Sequence, residues 1–330
     1  MRLKSHRITV LAAALLLVIS SIGPRNLSAQ KRKTPPRPVV ENIDDIIAGT
    51  QQPFKYLTAP ATLPPRTAEA IIRQVDHVLL ALPSNGRALV SLLTDTLALP
   101  IVWPQPGSDW KASTGISLGN VNLEIFHREP APQGEAPRVA RISSLALQPA
   151  DLKVTLSELK LRSISHDPPP DPSLRKDGDP LPRWTTVGLK GFGHGLFLIQ
   201  YNFDMDERRL RFDRVLRERV GGPLGVTRVL EVVIAPEGLD EVRAQWTKLL
   251  GPAETGEPDV WVAGDGPRIR LVKPLDSRAG DVVVEVKNLR RAAEALRRLQ
   301  INARTTKRQI RIDPNAMSGL RLVLQGLSQK

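Results

Sequence analysis

Two residues in this chain pair a metal- or proton-handling side chain with a position that turns it away from an apolar face. His77 lies in "VDHVLLALP" (Val75–Pro83), and Glu124 lies in "VNLEIFHRE" (Val121–Glu129). Both runs alternate as strands do. Val78, Leu80 and Leu82 face one way, and His77 and Leu79 the other. Leu123 and Ile125 face one way, and Asn122, Glu124 and Phe126 the other. His77 and Glu124 thus leave the side that a helix would cover. A carboxylate on the opposite side needs a metal, a cation or water. The two residues either share a divalent ion, or His77 hydrogen-bonds to Glu124 or Asn122 in a polar cavity.

Other chemistry is sparse. The chain has no cysteine, so it has neither disulfides nor thiolate ligands. Ser143 and Ser144 have no His/Asp arrangement nearby, which argues against a serine hydrolase. "GFGHG" reads as a turn, because no helix follows it and a dinucleotide fingerprint needs one. His166 reads as a solvated loop residue, and Trp103 and Trp110 as packing residues beside a Pro/Gly-rich turn.

The elements that must position His77 and Glu124 recur. Four stretches read as degenerate copies of one unit: a strand, an amphipathic helix, then strands ending in a Leu/Ile-rich run. The first has a strand at 75–82, a helical stripe at Leu89, Leu92, Leu93 and Leu97, and strands at 114–118 and 121–126 joined by Gly119-Asn120. The second has "RISSLALQP", a helix over 151–161, a long Pro-rich loop over 166–182, and "GLFLIQYNF". The third has a strand at 228–235, a helix over 239–250 that stops at Gly251-Pro252, and strands at 261–262 and 269–272. The fourth has a strand at 282–286, a helix over 289–300, then "QIRIDP" and "GLRLVLQ". Between the second and third lies a charged helix over 204–219, ended by Gly221-Gly222-Pro223.

The N-terminus reads differently. Arg2, Lys4 and Arg7 precede an apolar run from Ile8 to Ile22, and Ala29 offers a small residue at a cleavage point. The run is shorter than the roughly 20 residues a membrane span needs. Residues 1–29 are therefore expected to be a cleaved signal peptide rather than an anchor, and the protein to be exported, periplasmic or secreted. Residues 30–66 read as a Pro-rich basic tether with one short helix near 43–48. The expected order is then a first domain over 67–203, a linker helix over 204–225 and a second domain over 226–330.

Lys and Arg number 47 against 34 Asp and Glu, a net charge of +13. Nine basic residues and two acidic ones fall between Glu285 and Arg311. The plainer reading is a solvated helix face, and weak association with an anionic surface is the sharper one. Aromatic residues make up only 4% of the chain, and the interleaving that nucleic-acid binding uses is absent, so nucleic acid is not an expected partner.

A strand–helix–three-strand unit buries one sheet face under its helix and must curl the other around a partner unit. With "DHVLLALP", "GNVNLEIF", "TRVLEVVIAP", "WTKLLG" and "IDPNAMSGLRLVL", the chain resembles the vicinal oxygen chelate, or glyoxalase-like, superfamily over about 75–326. That superfamily includes glyoxalase I, methylmalonyl-CoA epimerase, fosfomycin-resistance enzymes and extradiol dioxygenases. The resemblance implies an α+β fold of tandem βαβββ units paired into two cupped half-barrel domains. It also implies a divalent metal (Zn, Ni, Mn or Fe) held by a His on a first strand and a Glu on a last strand, here His77 and Glu124.

The remaining units depart from that pattern. Ser144 and Phe197 fill the two positions in the second unit. Arg228 or Leu230 and Arg270 fill them in the third, and Asp281 and Arg321 in the fourth. His194 is the candidate third ligand, since His127 alternates to the opposite side from Glu124. Arg270 and Arg321 are expected to face an anion, or to pair with Asp281 or Glu285. Two function classes follow. One is a small-molecule cavity in the first domain with metal-dependent lyase, isomerase or dioxygenase-type chemistry. The other is a non-catalytic ligand-binding or interaction module of the same fold.

Overall fold

A computed structural model of the chain describes residues 71–82, 86–103, 113–126, 140–170, 182–276 and 278–327. The expected signal peptide and tether lie outside the described residues, as do Trp110, His127 and residues 171–181 of the long loop. No helix among the described residues is long and apolar enough to cross a membrane.

Among the described residues fourteen strands form two seven-stranded sheets. The first half runs β1 (Ile72–Ala81), α1 (Arg87–Ser91), β2 (Ile101–Trp103), β3 (Ser113–Ser117), β4 (Asn122–Phe126), β5 (Arg141–Pro149), α2 (Leu152–Leu161), β6 (Trp184–Leu189) and β7 (Gly195–Tyr201). Helix α3 (Met205–Glu218) follows. The second half runs β8 (Val226–Ile234), α4 (Leu239–Leu250), β9 (Val260–Val262), β10 (Arg268–Leu271), β11 (Asp281–Val286), α5 (Leu289–Arg298), β12 (Ala303–Thr305), β13 (Gln309–Ile312) and β14 (Arg321–Gly326). The strand orders are β2-β3-β4-β1-β5-β7-β6 and β12-β13-β14-β11-β8-β10-β9.

Four times, a strand crosses through a helix and returns in parallel beside itself: β1 with β4, β5 with β7, β8 with β10, and β11 with β14. A parallel return needs such a crossover. The two central strands of each sheet, β1 and β5, then β8 and β11, meet antiparallel. Each half is thus two crossover units joined edge to edge, and neither sheet closes.

Local sequence accounts for the helix ends. Asp151 accepts from the Val154 amide at 2.8 Å, and Asn288 accepts from the Arg291 amide at 3.0 Å. Each satisfies a donor that the first helical turn leaves free. Helix α1 is shorter than the leucine stripe suggests, because its chain continues as a π-turn over Leu92–Thr96. Among the described residues the second unit shows no full third strand. The run Pro168–Pro170 has no amide protons for a ladder, and only an isolated bridge between His166 and Leu189 forms. The short strands β2, β6 and β12 were not marked by any long apolar run.

The helix-covered faces share one continuous apolar core, from Ile71 through Trp246 to Leu324. A separate cluster of Leu79, Ala146 and Ile199, with Phe126, Phe197 and Tyr201 packed against it, lies on the opposite face of the first sheet. That split follows the alternation read from the sequence: Val78, Leu80, Leu123 and Ile125 belong to the main core, and Leu79 and Phe126 to the other cluster.

Candidate functional site

The concave face of the first sheet is organised around His77. Opposite Val75 stands Leu147 and opposite His77 stands Ala146, so Asp76 is an extra residue in β1. A bulge of this kind re-aims a side chain. It brings Asp76 to the same side as its neighbour, with Asp76 Oδ1 2.6 Å from His77 Nδ1. His77 Nε2 lies 3.1 Å from Glu124 Oε2 across the parallel β1–β4 pair. The ring is 4% exposed, with the edges of Trp103 and Phe197 at centroid distances of 5.8 and 5.7 Å.

Further groups complete the cluster. Ser113 Oγ donates to Glu124 Oε1 at 2.6 Å, and Trp103 Nε1 donates to Ser113 Oγ at 3.2 Å. Tyr201 donates its hydroxyl to Asp76 Oδ1 at 2.9 Å, and Arg209 of α3 binds Asp76 Oδ2. Arg73 pairs with Asp206 of the same helix at 2.6 Å. The linker helix is therefore tied to the first cup through Asp76 and Arg73.

An imidazole with a carboxylate at each nitrogen can donate to both only as the imidazolium. Burial alone would lower the His77 pKa, but hydrogen bonds and charges from Asp76 and Glu124 outweigh it and push the ring up to about 9. Burial alone would raise Asp76, yet His77, Arg209 and Tyr201 hold it below the usual carboxylate range.

His194, the expected third ligand, has its near neighbours outside the His77 cluster. Its Nδ1–H donates to the Phe192 carbonyl at 2.7 Å, and its ring stacks on Trp246 of α4 at 6.0 Å and 11°. Burial pushes its pKa down to about 4. It lies in the turn before β7, which is built on Gly191 and Gly193, both at positive φ. Among the described residues the donor set near His77 is therefore incomplete for a metal ion. It has two ligands, where catalytic zinc sites have three, and both ring nitrogens already face carboxylates. Among the described residues no group of three or more His, Cys, Asp or Glu side chains is arranged to hold an ion.

The two histidines predict a stability optimum. His77 has a folded value above 6.5, so its contribution is complete below about pH 6.5 and disappears as pH rises through about 9. His194 has a folded value below 6.5, so the unfolded chain binds the proton better and stability falls as pH drops from about 6.5 towards 4. Denaturant midpoints should peak near pH 6.5 and decline on both sides. A flat profile from about pH 6.5 to 9.5 would show that His77 is not held as an imidazolium.

The second sheet presents a different cup. A cavity of about 550 Å³ opens over Leu230, Val283 and Val323. Its walls carry Arg268, Arg270, Arg278 and Arg311, with Glu231 and Asp281 between them. Arg270 and Arg278 reach Glu231 at 2.9 and 2.6 Å, and Arg311 reaches Asp281 at 2.8 Å. Burial raises the Asp281 pKa despite the pull of Arg311, Arg321 and Arg278.

The expected pairings are thereby redrawn. Arg270 does face the cup, but it is bound to Glu231 and Glu257. Arg321 donates to the Ala279 carbonyl at 3.0 Å. Arg311 takes Asp281, and Arg228 takes Glu285 at 3.1 Å. The basic residues Arg290, Arg291, Arg297, Arg298, Arg304, Lys307 and Arg308 are all exposed, away from this cup's lining.

No protein-family model and no curated protein matches the chain. Solved structures do. Homoprotocatechuate 2,3-dioxygenase from Arthrobacter globiformis aligns at 13% identity over 79% of this chain and 82% of its own, with a TM-score of 0.52. A variant of the Brevibacterium fuscum enzyme aligns at 12% identity over 79% of this chain and 74% of its own, with a TM-score of 0.51.

The chain has the vicinal oxygen chelate fold.

At such low identity the likeness extends to architecture: two sheets of paired crossover units, as in the extradiol dioxygenases. Sequence reasoning located His77 and Glu124 but missed Asp76, Ser113, Tyr201 and Arg209. Asp76 carried a signal, since strict alternation would put a charged residue on the apolar side of β1. Arg209 carried none, lying among the other charges of its helix.

Proposed function

We propose that this chain is a non-catalytic binding module of the vicinal oxygen chelate fold, and that it holds a small organic anion in the second cup. One observation carries this reading. Four guanidiniums and two carboxylates surround an apolar floor in a cavity of about 550 Å³, a volume within the usual range for small-molecule sites. Glu254 and Glu257 of the loop before β9 also pair with Arg268 and Arg270, so two of the four carboxylates facing these guanidiniums come from a loop rather than from the sheet. The first cup reads as a closed structural cluster, with apolar and aromatic side chains filling the rest of its concave face. The reading includes export, with residues 1–29 removed as a signal peptide, and a domain division near α3.

A second reading is favoured by the order Asp76–His77–Glu124. A carboxylate behind the far nitrogen of a histidine is what orients a metal-bound imidazole, and in that case His77 and Glu124 would be two ligands of a divalent ion. One measurement separates the two. The mature chain, purified without chelator, is assayed for bound metal and by thermal shift with benzoate, sulfate, Mn²⁺, Zn²⁺, Ni²⁺ and Fe²⁺. Anion binding predicts stabilisation that grows with the logarithm of benzoate concentration, about 2.7 kcal/mol at 100 times Kd, with metal well below stoichiometric. Stoichiometric metal that is lost in His77→Ala, with no response to anions, would reverse the assignment.

A further inference from the structure

The second cup already contains a carboxylate that does not belong to its sheet. The loop between α4 and β9 brings Glu257 to the rim, where its Oε2 lies 2.5 Å from Arg270 Nη2 and its Oε1 binds Arg268 Nη2. One carboxylate thus spans two guanidiniums with an oxygen on each. That is how arginines receive a carboxylate ligand.

Glu254 of the same loop holds the Nε edge of Arg268 at 2.9 Å, whereas two other acids of the cup are built into the sheet. Glu231 sits on β8 and Asp281 on β11, at 7% and 1% exposure. Glu257 is different, with its side chain 38% exposed on a loop. Gly251 and Gly256 in that loop have φ of 86° and 81°, and a Cβ at either would meet nothing within 4 Å. The far end of the loop is fixed, because Asp259 holds Arg243 at 2.6 Å and its carbonyl accepts from the Leu271 amide at 2.9 Å. The backbone of Glu257 is tied as well, its amide donating to the Glu254 carbonyl at 2.9 Å and its carbonyl accepting from the Val260 amide at 3.1 Å, so exchange needs only the half-exposed side chain to rotate away.

We infer that Glu257 is an internal stand-in for the ligand, and that the cup takes a small organic monocarboxylate by exchange: the ligand's carboxylate replaces that of Glu257 on Arg268 and Arg270, and its apolar body lies on Leu230, Val283 and Val323. This rests on the second cup being the binding site. The apolar floor selects against inorganic anions, which offer nothing to bury there. Displaced Glu257 returns to water, where its charge is well solvated, so the exchange leaves no carboxylate buried and unpaired.

The test is titration calorimetry of benzoate and of inorganic sulfate into the full chain, its Glu257→Gln variant, and Asp240→Asn as a control for net charge. Asp240 is an exposed acid of α4 bound to Arg243. Glu257→Gln should bind benzoate about tenfold more tightly than the parent, while Asp240→Asn matches the parent. Sulfate should bind more weakly than benzoate in every protein. Equal benzoate affinity in Glu257→Gln and parent overturns the exchange and leaves the binding site standing. An equal gain in Asp240→Asn also overturns it, since net charge alone would then be responsible. Sulfate binding as tightly as benzoate overturns the carboxylate class. No benzoate binding by any of the three overturns both the site and the exchange.

Discussion

Replacing Asp76 with alanine should lower the free energy of unfolding by about 3–5 kcal/mol. Asp76 is 1% exposed and is the shared acceptor for His77, Tyr201 and Arg209. Removing it leaves a buried imidazolium with one carboxylate instead of two and an arginine facing an emptied position. Breaking a buried ionic cluster by deleting one member is costly because the remaining charges stay desolvated. Asp76→Asn keeps the volume and should lose less. The pair Asp76→Ala and Arg209→Ala should be less than additive, since each removes the partner of the other. Urea denaturation of the parent, the three single variants and the double variant measures all of this. A loss below about 1 kcal/mol in Asp76→Ala would place the cluster in solvent, where exposed ion pairs contribute that little.

The two cups show how one architecture separates from one chemistry. Both are concave faces between antiparallel central strands, β1–β5 and β8–β11. In the first, polar groups are few and converge on a single ring, and aromatic side chains fill the space around it. In the second, Leu230, Val283 and Val323 line an open cavity together with four arginines, two carboxylates and two glutamines. A concave sheet therefore sets where a site can be, and its side chains decide whether the cup is occupied from within or left open.

Much of this could be read from the chain, and the reasons for the rest are local. The alternation in "DHVLLALP" and "NLEIF" put His77 and Glu124 on the correct face because a strand has period 2 wherever its pairing is regular. At Asp76 the pairing is not regular, and a bulge leaves no mark in a hydrophobic pattern. Helix α4 was bounded correctly because Gly251 ends it with a positive φ that few other residues adopt. Strand β2 was hidden because only three residues, Ile101–Trp103, separate Pro100 from Pro104. The partners of Arg270 could not be read at all. Glu231 precedes it by one crossover and Glu257 comes from a loop, so neither stands at any spacing that a strand or helix would impose.

Trp246→Ala should cost about 3–5 kcal/mol, as truncation of a fully buried aromatic does, and should also divide unfolding into two steps. Trp246 belongs to α4 in the second half, yet its ring meets Phe192 at 5.3 Å and His194 at 6.0 Å, both from the turn before β7 in the first half. On its other side it meets Trp261 of β9 at 6.4 Å. It is an aromatic contact within the one continuous core that both halves share. Other ties cross this seam as well: Asn120 exchanges hydrogen bonds with the Val229 backbone at 3.1 and 2.7 Å, Arg162 donates to the Lys248 and Leu249 carbonyls at 3.2 Å, Gln74 bridges to Gly264, and Val242 packs on Gly193. Such hydrogen bonds contribute about 1 kcal/mol each, enough to keep the halves in register but not to couple their melting once this ring is gone. Trp246→Phe retains most of the ring and removes a buried indole N–H that has no partner, so it should lose far less and still unfold in one step. Calorimetry of the parent and both variants is the measurement. A single sharp transition in Trp246→Ala, within about 1 kcal/mol of the parent, would mean that the other ties rather than this ring make the two halves fold as one.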